Sequence, residues 1–168
     1  MSSQTLSGIN VLDLTSYIAG PFGATLLGDL GANVIKVESP SGDMMRNYPS
    51  TLVGESRAYV GVNRNKRGIV IDLKSKDGLE VIRRLIKKSD VIVHNFRPGV
   101  SRRLGLEYEQ LIDINPKIIY CGLTGFGETG PMAGNPGFDQ VLQSLTGISK
   151  AQGALENKPH VVWGSVVD

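Results

Sequence analysis

Three short stretches near the start of the chain restrict its fold more than any other feature. Residues 8–14 (Gly-Ile-Asn-Val-Leu-Asp-Leu) read as a buried strand, and residues 33–38 (Asn-Val-Ile-Lys-Val-Glu) as a second. Between them Phe22, Leu26, Leu27 and Leu30 recur at helical spacing, with Pro21 suited to the first turn and Gly31 to the C-terminal cap. Strand, helix and strand within roughly thirty residues make a βαβ unit, so the two strands run parallel with a right-handed crossover.

The alternation continues. Residues 39–60 scatter Pro40, Gly42, Pro49 and Gly54 among polar side chains and read as a long irregular loop, functional or used in assembly. The pattern predicts a strand over 69–73. Ser75 then caps a helix carrying Leu79, Ile82, Leu85 and Ile86, with Lys87 and Lys88 in its last turn. A strand over 91–94 follows, then short helices over 100–104 and 108–115 and a strand over 118–123. Six glycines lie between 122 and 137, ahead of a helix over 138–145. The expected fold class is α/β, one domain over 1–168 built on a doubly wound, mostly parallel, Rossmann-like sheet. The chain ends at Asp168 directly after the apolar run 161–167, which reads as an interruption within a larger fold.

Composition removes several function classes. A net charge of +2, from 18 basic and 16 acidic residues, argues against bulk nucleic-acid binding. The single cysteine, Cys121, excludes an internal disulfide framework and fits a reducing compartment. Residues 1–5 carry neither a charged leader nor an apolar core, and no apolar run is long enough to span a bilayer. A cytoplasmic protein without a membrane partner is the expectation. His94, Cys121 and His160 form no metal-ligand spacing, so no metal is expected.

In a doubly wound sheet, ligands bind beyond the carboxyl ends of the strands. That rule selects the loops 15–20, 38–42, 95–99 and 124–137, where the polar and glycine-rich residues concentrate. Asn95, Phe96 and Arg97, followed by Pro98 and Gly99, offer an amide, an aromatic face and a guanidinium, a set suited to a phosphorylated, ring-bearing ligand. The first loop, Thr15-Ser16-Tyr17-Ile18-Ala19-Gly20-Pro21, lacks the G-x-G-x-x-G dinucleotide fingerprint. Glu38 does end a strand as a ribose-binding acid would, but without those glycines the match is weak.

Each residue also has a plainer reading. By itself Asp168 is a solvated terminal acid, and 63–67 is a solvated basic turn or a phosphate contact. Phe96 is a plug over the sheet end or a platform for a ring. The glycines of 122–137 permit tight turns. His94 is structural, and Trp163 packs in a core or an interface.

Together the motifs resemble the class III CoA-transferase family, named for carnitine CoA-transferase and also containing formyl-CoA transferase and α-methylacyl-CoA racemase. The resemblance rests on residues 8–15, Ala-Gly-Pro at 19–21, Leu-Gly-Ala-Asn-Val-Ile-Lys-Val-Glu at 30–38 and Asn-Arg-Asn-Lys-Arg at 63–67. It continues through Asp-Leu-Lys at 72–74, Asn-Phe-Arg-Pro-Gly at 95–99, Arg-Leu-Gly at 103–105, Gly-Phe-Gly-Glu-Thr-Gly-Pro at 125–131 and Gly-Phe-Asp at 137–139. Family members are longer and form interlocked homodimers, so the resemblance implies the N-terminal portion of such a protein.

The resemblance implies roles residue by residue. The family's nucleophilic aspartate corresponds to Asp168, thirty positions beyond Phe138. Coenzyme A contacts correspond to Ile18 and Ala19, to Asp72, Leu73 and Lys74, to Asn95, Phe96 and Arg97, to Arg103, and to Gly137, Phe138 and Asp139. The implied chemistry uses acyl-CoA and a carboxylic acid as substrates, through aspartyl anhydride and thioester intermediates, with no prosthetic group. Exposed backbone at Ala19 and Gly20 would allow close approach of the coenzyme. Many relatives carry arginine directly after the strand-ending glutamate, where it contacts the nucleotide; here Ser39 stands there, a departure from the family pattern at that contact. The racemase branch needs a histidine where this chain has Phe138, which cannot exchange a proton, so transfer is favoured over racemisation. Two functions remain: a CoA-transferase using Asp168, or a CoA-binding or assembly fragment that is inactive without its C-terminal portion.

Overall fold

The computed structural model describes residues 4–153 and 157–162. The chain forms two compact units, Met1–Leu123 and Thr124–Asp168. In the first, strands β1 (Asn10–Leu14), β2 (Asn33–Glu38), β3 (Lys66–Val70), β4 (Val91–His94) and β5 (Ile119–Gly122) build one sheet in the order β3-β2-β1-β4-β5. Every neighbouring pair is parallel. This is the expected doubly wound α/β architecture, with the strand order reversing between β1 and β4.

Helix α1 (Ala19–Asp29) follows β1 and begins two residues before Pro21, which still falls in the first turn, where its missing N–H costs nothing. Its end is a Schellman motif. Gly31 sits at φ 101°, its N–H bonds Gly28 O at 3.0 Å, and the Ala32 N–H bonds Leu27 O at 3.0 Å. The 39–60 segment is less irregular than its sequence suggests, holding a 3-10 turn at Met44–Asn47 and a short helix α2 (Arg57–Gly61). Ser75 caps α3 (Lys76–Ile86) as expected, its hydroxyl accepting the Gly78 N–H at 2.9 Å. Two more short helices, α4 (Val100–Leu104) and α5 (Tyr108–Leu111), precede β5.

Two elements depart most from expectation. Strand β3 begins at Lys66, three residues before the predicted start, because Lys66 turns its ammonium inward and lets a charged stretch pair with β2. The expected helix over 108–115 stops as α5 at Leu111, where Asn115 turns the chain back, donating through Nδ2 to Ile86 O at 3.0 Å and Ser89 O at 2.8 Å.

Alternation along the strands sorts side chains onto two faces. Leu12, Leu14, Val37 and Ile92 pack with Ile82 and Ile86 of α3 and with Leu106 and Leu111. Val11, Val34 and Val93 point the other way, against Ala24 and Leu27 of α1. Away from the sheet, Phe22 and Leu26 of α1 and its C-cap Leu30 are about half exposed, an apolar stripe at four-residue spacing. The second unit holds α6 (Asp139–Leu145) and α7 (Ile148–Gln152), the latter not anticipated from sequence.

Candidate functional site

The loop leaving β1 is held almost entirely by side chains from elsewhere. The Thr15 carbonyl accepts from Lys36 Nζ at 2.9 Å. Ser16 donates its N–H to Asn95 Oδ1 at 2.9 Å, and its carbonyl accepts from Asn95 Nδ2 at 2.7 Å. The Tyr17 N–H reaches Asp43 Oδ1 at 3.3 Å. Tyr17 itself sits at φ 67°, a left-handed conformation that side-chain-bearing residues rarely adopt. Asn95 therefore ties the β1 loop to the β4 loop at the point where the strand order reverses, the crevice at which such sheets take ligands.

Beneath the loop lies a cluster of buried charge. Lys36 and Asp43 pair at 3.0 Å with each side chain only 1% exposed. Asp43 Oδ2 meets the ammonium as a charge contact without an aligned hydrogen bond among the described residues. Lys66 pairs with Asp13 at 2.9 Å and also donates to Pro21 O, Val62 O and Asn63 Oδ1 at 2.7, 3.1 and 3.0 Å. Burial pulls the Lys66 ammonium below the ordinary lysine range, and Asp13 opposes that shift. The other Asp13 oxygen accepts the Thr15 N–H at 2.9 Å and the Thr15 hydroxyl.

Glu38 ends β2 inside this cluster. Arg46 grips it with Nε and Nη2, each at 2.7 Å, the Tyr59 hydroxyl donates at 2.6 Å, and the Asp43 N–H at 2.9 Å. All four acceptor positions of the carboxylate are filled, so none remains for a ribose hydroxyl. The Arg46 hydrogen bonds are the chief cause that holds the Glu38 carboxyl down at about 2, against the opposing effect of burial. The guanidinium also lies 3.8 Å over the Tyr59 ring, whose hydroxyl is pushed up, first by burial and then by Glu38.

The 63–67 stretch is likewise structural at most of its positions. Lys66 is buried, Arg64 pairs with Asp29 and Gly61 O, and Asn65 bonds Asp29. Gly20 has a different reason from the one expected. It is buried, and a β-carbon there would collide with the Thr15 side chain, so the glycine admits Thr15 rather than a ligand.

The remaining sequence-derived positions of the first unit share one edge of the sheet. Ile18 is the residue before α1, and Ala19 opens it; both are half-buried. Asp72 and Lys74 are exposed after β3, with Lys74 N–H on Asp72 Oδ1 at 2.9 Å, while Leu73 packs on the core. Gly78 of α3 lies directly under the Asp72 carbonyl, too close for any β-carbon. Phe96 packs against the core and stacks on His94, ring centroids 5.0 Å apart. His94 is 2% exposed; its Nδ1 accepts the Phe96 N–H at 3.3 Å, and its Nε2 meets the Tyr120 hydroxyl. Burial lowers it to about 4, with Glu107 pulling the other way, so it is a neutral structural imidazole. Arg97 and Arg103 are exposed, and their side chains make no ion pair among the described residues.

In the second unit, Gly137 and Gly125 press their α-carbons together, and a β-carbon on either would overlap the other. Phe138 stands half-exposed just before α6. Asp139 is buried and accepts from Gln143 Nε2. Gln143, fully buried, also holds both backbone groups of Val162, donating to its carbonyl at 3.1 Å and accepting its N–H at 2.8 Å. Asp168 and Trp163 lie outside the described residues.

Sequence reasoning missed the charges under the first loop. The signal was present: Asp13 stands between two leucines and Lys36 inside an apolar strand, and a charge in a strand covered on both faces must find a partner. Among the described residues, no group of three or more His, Cys, Asp or Glu can hold a metal, and no helix is long and apolar enough to cross a membrane.

Comparison with known proteins adds independent findings. The sequence profile of CoA-transferase family III matches residues 6–168. An acetyl-CoA:oxalate CoA-transferase of Acetobacter aceti is 43% identical over 159 residues, covering 94% of this chain and 41% of that protein. A succinyl-CoA:glutarate CoA-transferase of Homo sapiens is 44% identical over 158 residues, covering 93% and 36%. Among solved structures, a CAIB/BAIF family protein from Brucella suis superposes with a TM-score of 0.91 at 38% identity, covering 98% of this chain and 45% of that one. The chain thus spans about two fifths of the length of the curated relatives it matches.

Proposed function

The chain belongs to CoA-transferase family III, and we propose that residues 1–168 act as one coenzyme A-binding domain, the N-terminal portion of a longer homodimeric, cytoplasmic enzyme. That enzyme moves coenzyme A from an acyl-CoA donor to a carboxylic acid acceptor and uses no prosthetic group. The observation that carries the reading is the Asn95 bridge. It ties the β1 and β4 loops together at the crevice edge, beside Ile18, Ala19, Phe96 and Arg97. Arg97 and Arg103 are exposed cations suited to phosphate, and Asp72, Leu73 and Lys74 extend the same edge beyond β3. The family resemblance assigns further coenzyme contacts to Gly137, Phe138 and Asp139 of the second unit.

In this mechanism the Asp168 carboxylate attacks the donor thioester carbonyl, the C–S bond breaks, and a mixed anhydride and coenzyme A thiolate form. The thiolate attacks the aspartyl carbonyl, releasing the donor acid and leaving an aspartyl-CoA thioester. The acceptor carboxylate displaces the thiolate to give a second anhydride. The thiolate then takes the acceptor acyl group, which restores Asp168. Each intermediate is as activated as the thioester it replaces, so no step is a deep trap. Backbone N–H groups along 125–130 are candidates to stabilise the oxyanions. The relatives named above take oxalate and glutarate, so dicarboxylates are the acceptor class to try first.

A second reading has its own support in coverage: a portion spanning two fifths of its relatives can bind coenzyme A or assemble while catalysing nothing alone. The test is CoA exchange between acyl-CoA and a dicarboxylate, run with the chain alone and with the missing portion supplied. Exchange only after complementation, abolished by Asp168→Ala, is the expected result. Exchange by the chain alone would discard the fragment reading. A complemented protein that neither binds coenzyme A nor exchanges it would discard the transferase.

A further inference from the structure

We infer that the buried ion pair of Lys36 and Asp43 is a positioning device for the coenzyme-binding loop that follows β1, an inference that rests on the function proposed above. The pair's remaining bonds carry the argument. Lys36 donates to the Thr15 carbonyl, and Asp43 Oδ1 accepts both the Tyr17 N–H at 3.3 Å and the Met45 N–H at 3.0 Å, so the same carboxylate ties the loop to the 3-10 turn that it caps. With Asn95 on both backbone groups of Ser16, four polar groups over three consecutive residues are taken up by side chains distant in sequence.

A buried ion pair is by itself weak evidence of a stabilising role, since apolar replacement of both members is often neutral. Here the pair does something apolar residues cannot. It holds a non-glycine residue, Tyr17, at φ 67°, directly before Ile18 and Ala19. Without its acceptor, Tyr17 has every torsional reason to return to negative φ, which re-aims the two residues that follow. Lys36 lies on β2 and Asp43 just beyond that strand's end, so the sheet fixes where the loop sits. Neither side chain needs to touch the ligand. They act through Thr15 and Tyr17, and the proposal assigns them positioning and no chemistry.

The test uses the complete protein and its Lys36→Met/Asp43→Leu variant, which removes both charges together and avoids leaving one buried alone. Calorimetric coenzyme A affinity should fall roughly ten- to a hundredfold, appearing as a raised KM for acyl-CoA with a smaller change in kcat. Amide hydrogen exchange at Ser16 and Tyr17 should quicken by a similar factor, while Leu12 and Ile92 in the sheet stay protected. A folded variant with parental affinity and parental exchange at Ser16 and Tyr17 overturns the inference and leaves the proposed function intact. If the variant does not fold, the unmodified protein decides. A Tyr17 amide, the one that Asp43 accepts, protected at least about a hundredfold supports the device, and one exchanging like free chain refutes it. Failure of the unmodified protein to take up coenzyme A removes the proposed function and this inference together.

Discussion

The two faces of the sheet are built on opposite principles. Under α3 the core is largely aliphatic: Leu12, Ile82, Ile86 and Ile92 are all 0% exposed and belong to one apolar cluster. Under α1 the apolar core is smaller, and toward the strand ends it gives way to Asp13, Lys36, Glu38, Asp43 and Lys66. Burying charge adds little net stability even when it is paired, whereas burying aliphatic surface adds much. The contrast separates two jobs. One face holds the domain together, and the other fixes the shape of the loop above it.

Removing one member of a buried pair should have the largest effect. Lys66→Met leaves Asp13 in the interior without its cation and should cost about 4 kcal/mol in chemical denaturation. Lys66→Met/Asp13→Asn should recover part of that, because it removes the unpaired charge while the amide oxygen can still accept from Thr15. On the aliphatic face, Ile92→Ala should cost about 3 kcal/mol, and no second substitution of similar kind should restore it. If Lys66→Met proved milder than Ile92→Ala, the division between the faces would fail.

Acid separates the faces again, in different pH windows. Glu38 has its carboxyl held to about 2 in the folded protein against an ordinary 4.5. Its stabilisation is complete above that ordinary value and is lost as pH falls toward 2, on the order of 3 kcal/mol in all. His94, on the aliphatic face, is lowered by burial to about 4 from 6.5. Below 6.5 the unfolded chain binds the proton more readily, so stability declines from there to about 4, again on the order of 3 kcal/mol. Stability curves across pH should therefore lose their upper slope in His94→Gln and their lower slope in Glu38→Gln. A curve unchanged by His94→Gln would mean the imidazole is less buried than its surroundings imply. The smallest effect belongs to the solvent side of α3, where Glu80→Ala breaks only the exposed contact with Arg84 and should cost about 0.3 kcal/mol.

How much of this was legible in the sequence follows the same divide. Strands β2 and β4 fall where the apolar runs place them, and Ser75 announced α3, because hydrophobic period and capping act locally. The doubly wound order follows from alternating elements and crossover handedness. Strand β3 was misplaced because Lys66 and Arg67 look like a turn; only a partner on a distant strand, Asp13, makes Lys66 an inward residue. Loops 15–20, 38–42 and 95–99 do follow the carboxyl ends of β1, β2 and β4, since polar residues after apolar runs are visible in a pattern. The charges under them were not, because pairing between Lys36 and Asp43 or Glu38 and Arg46 depends on how the 39–60 segment folds back. Asn95 was read as a ligand contact, and its tie to Ser16 was invisible from either residue alone.

The touching α-carbons of Gly125 and Gly137 have a consequence for anyone diversifying this protein. A saturation library across the segment should split sharply. Those two positions should return almost nothing but the parent, because the obstacle is another backbone with nowhere to go. Gly134, with open space around it and an ordinary torsion, should accept nearly any small side chain. Sequence diversity here would thus map where two strands of polypeptide cross, without reference to chemistry.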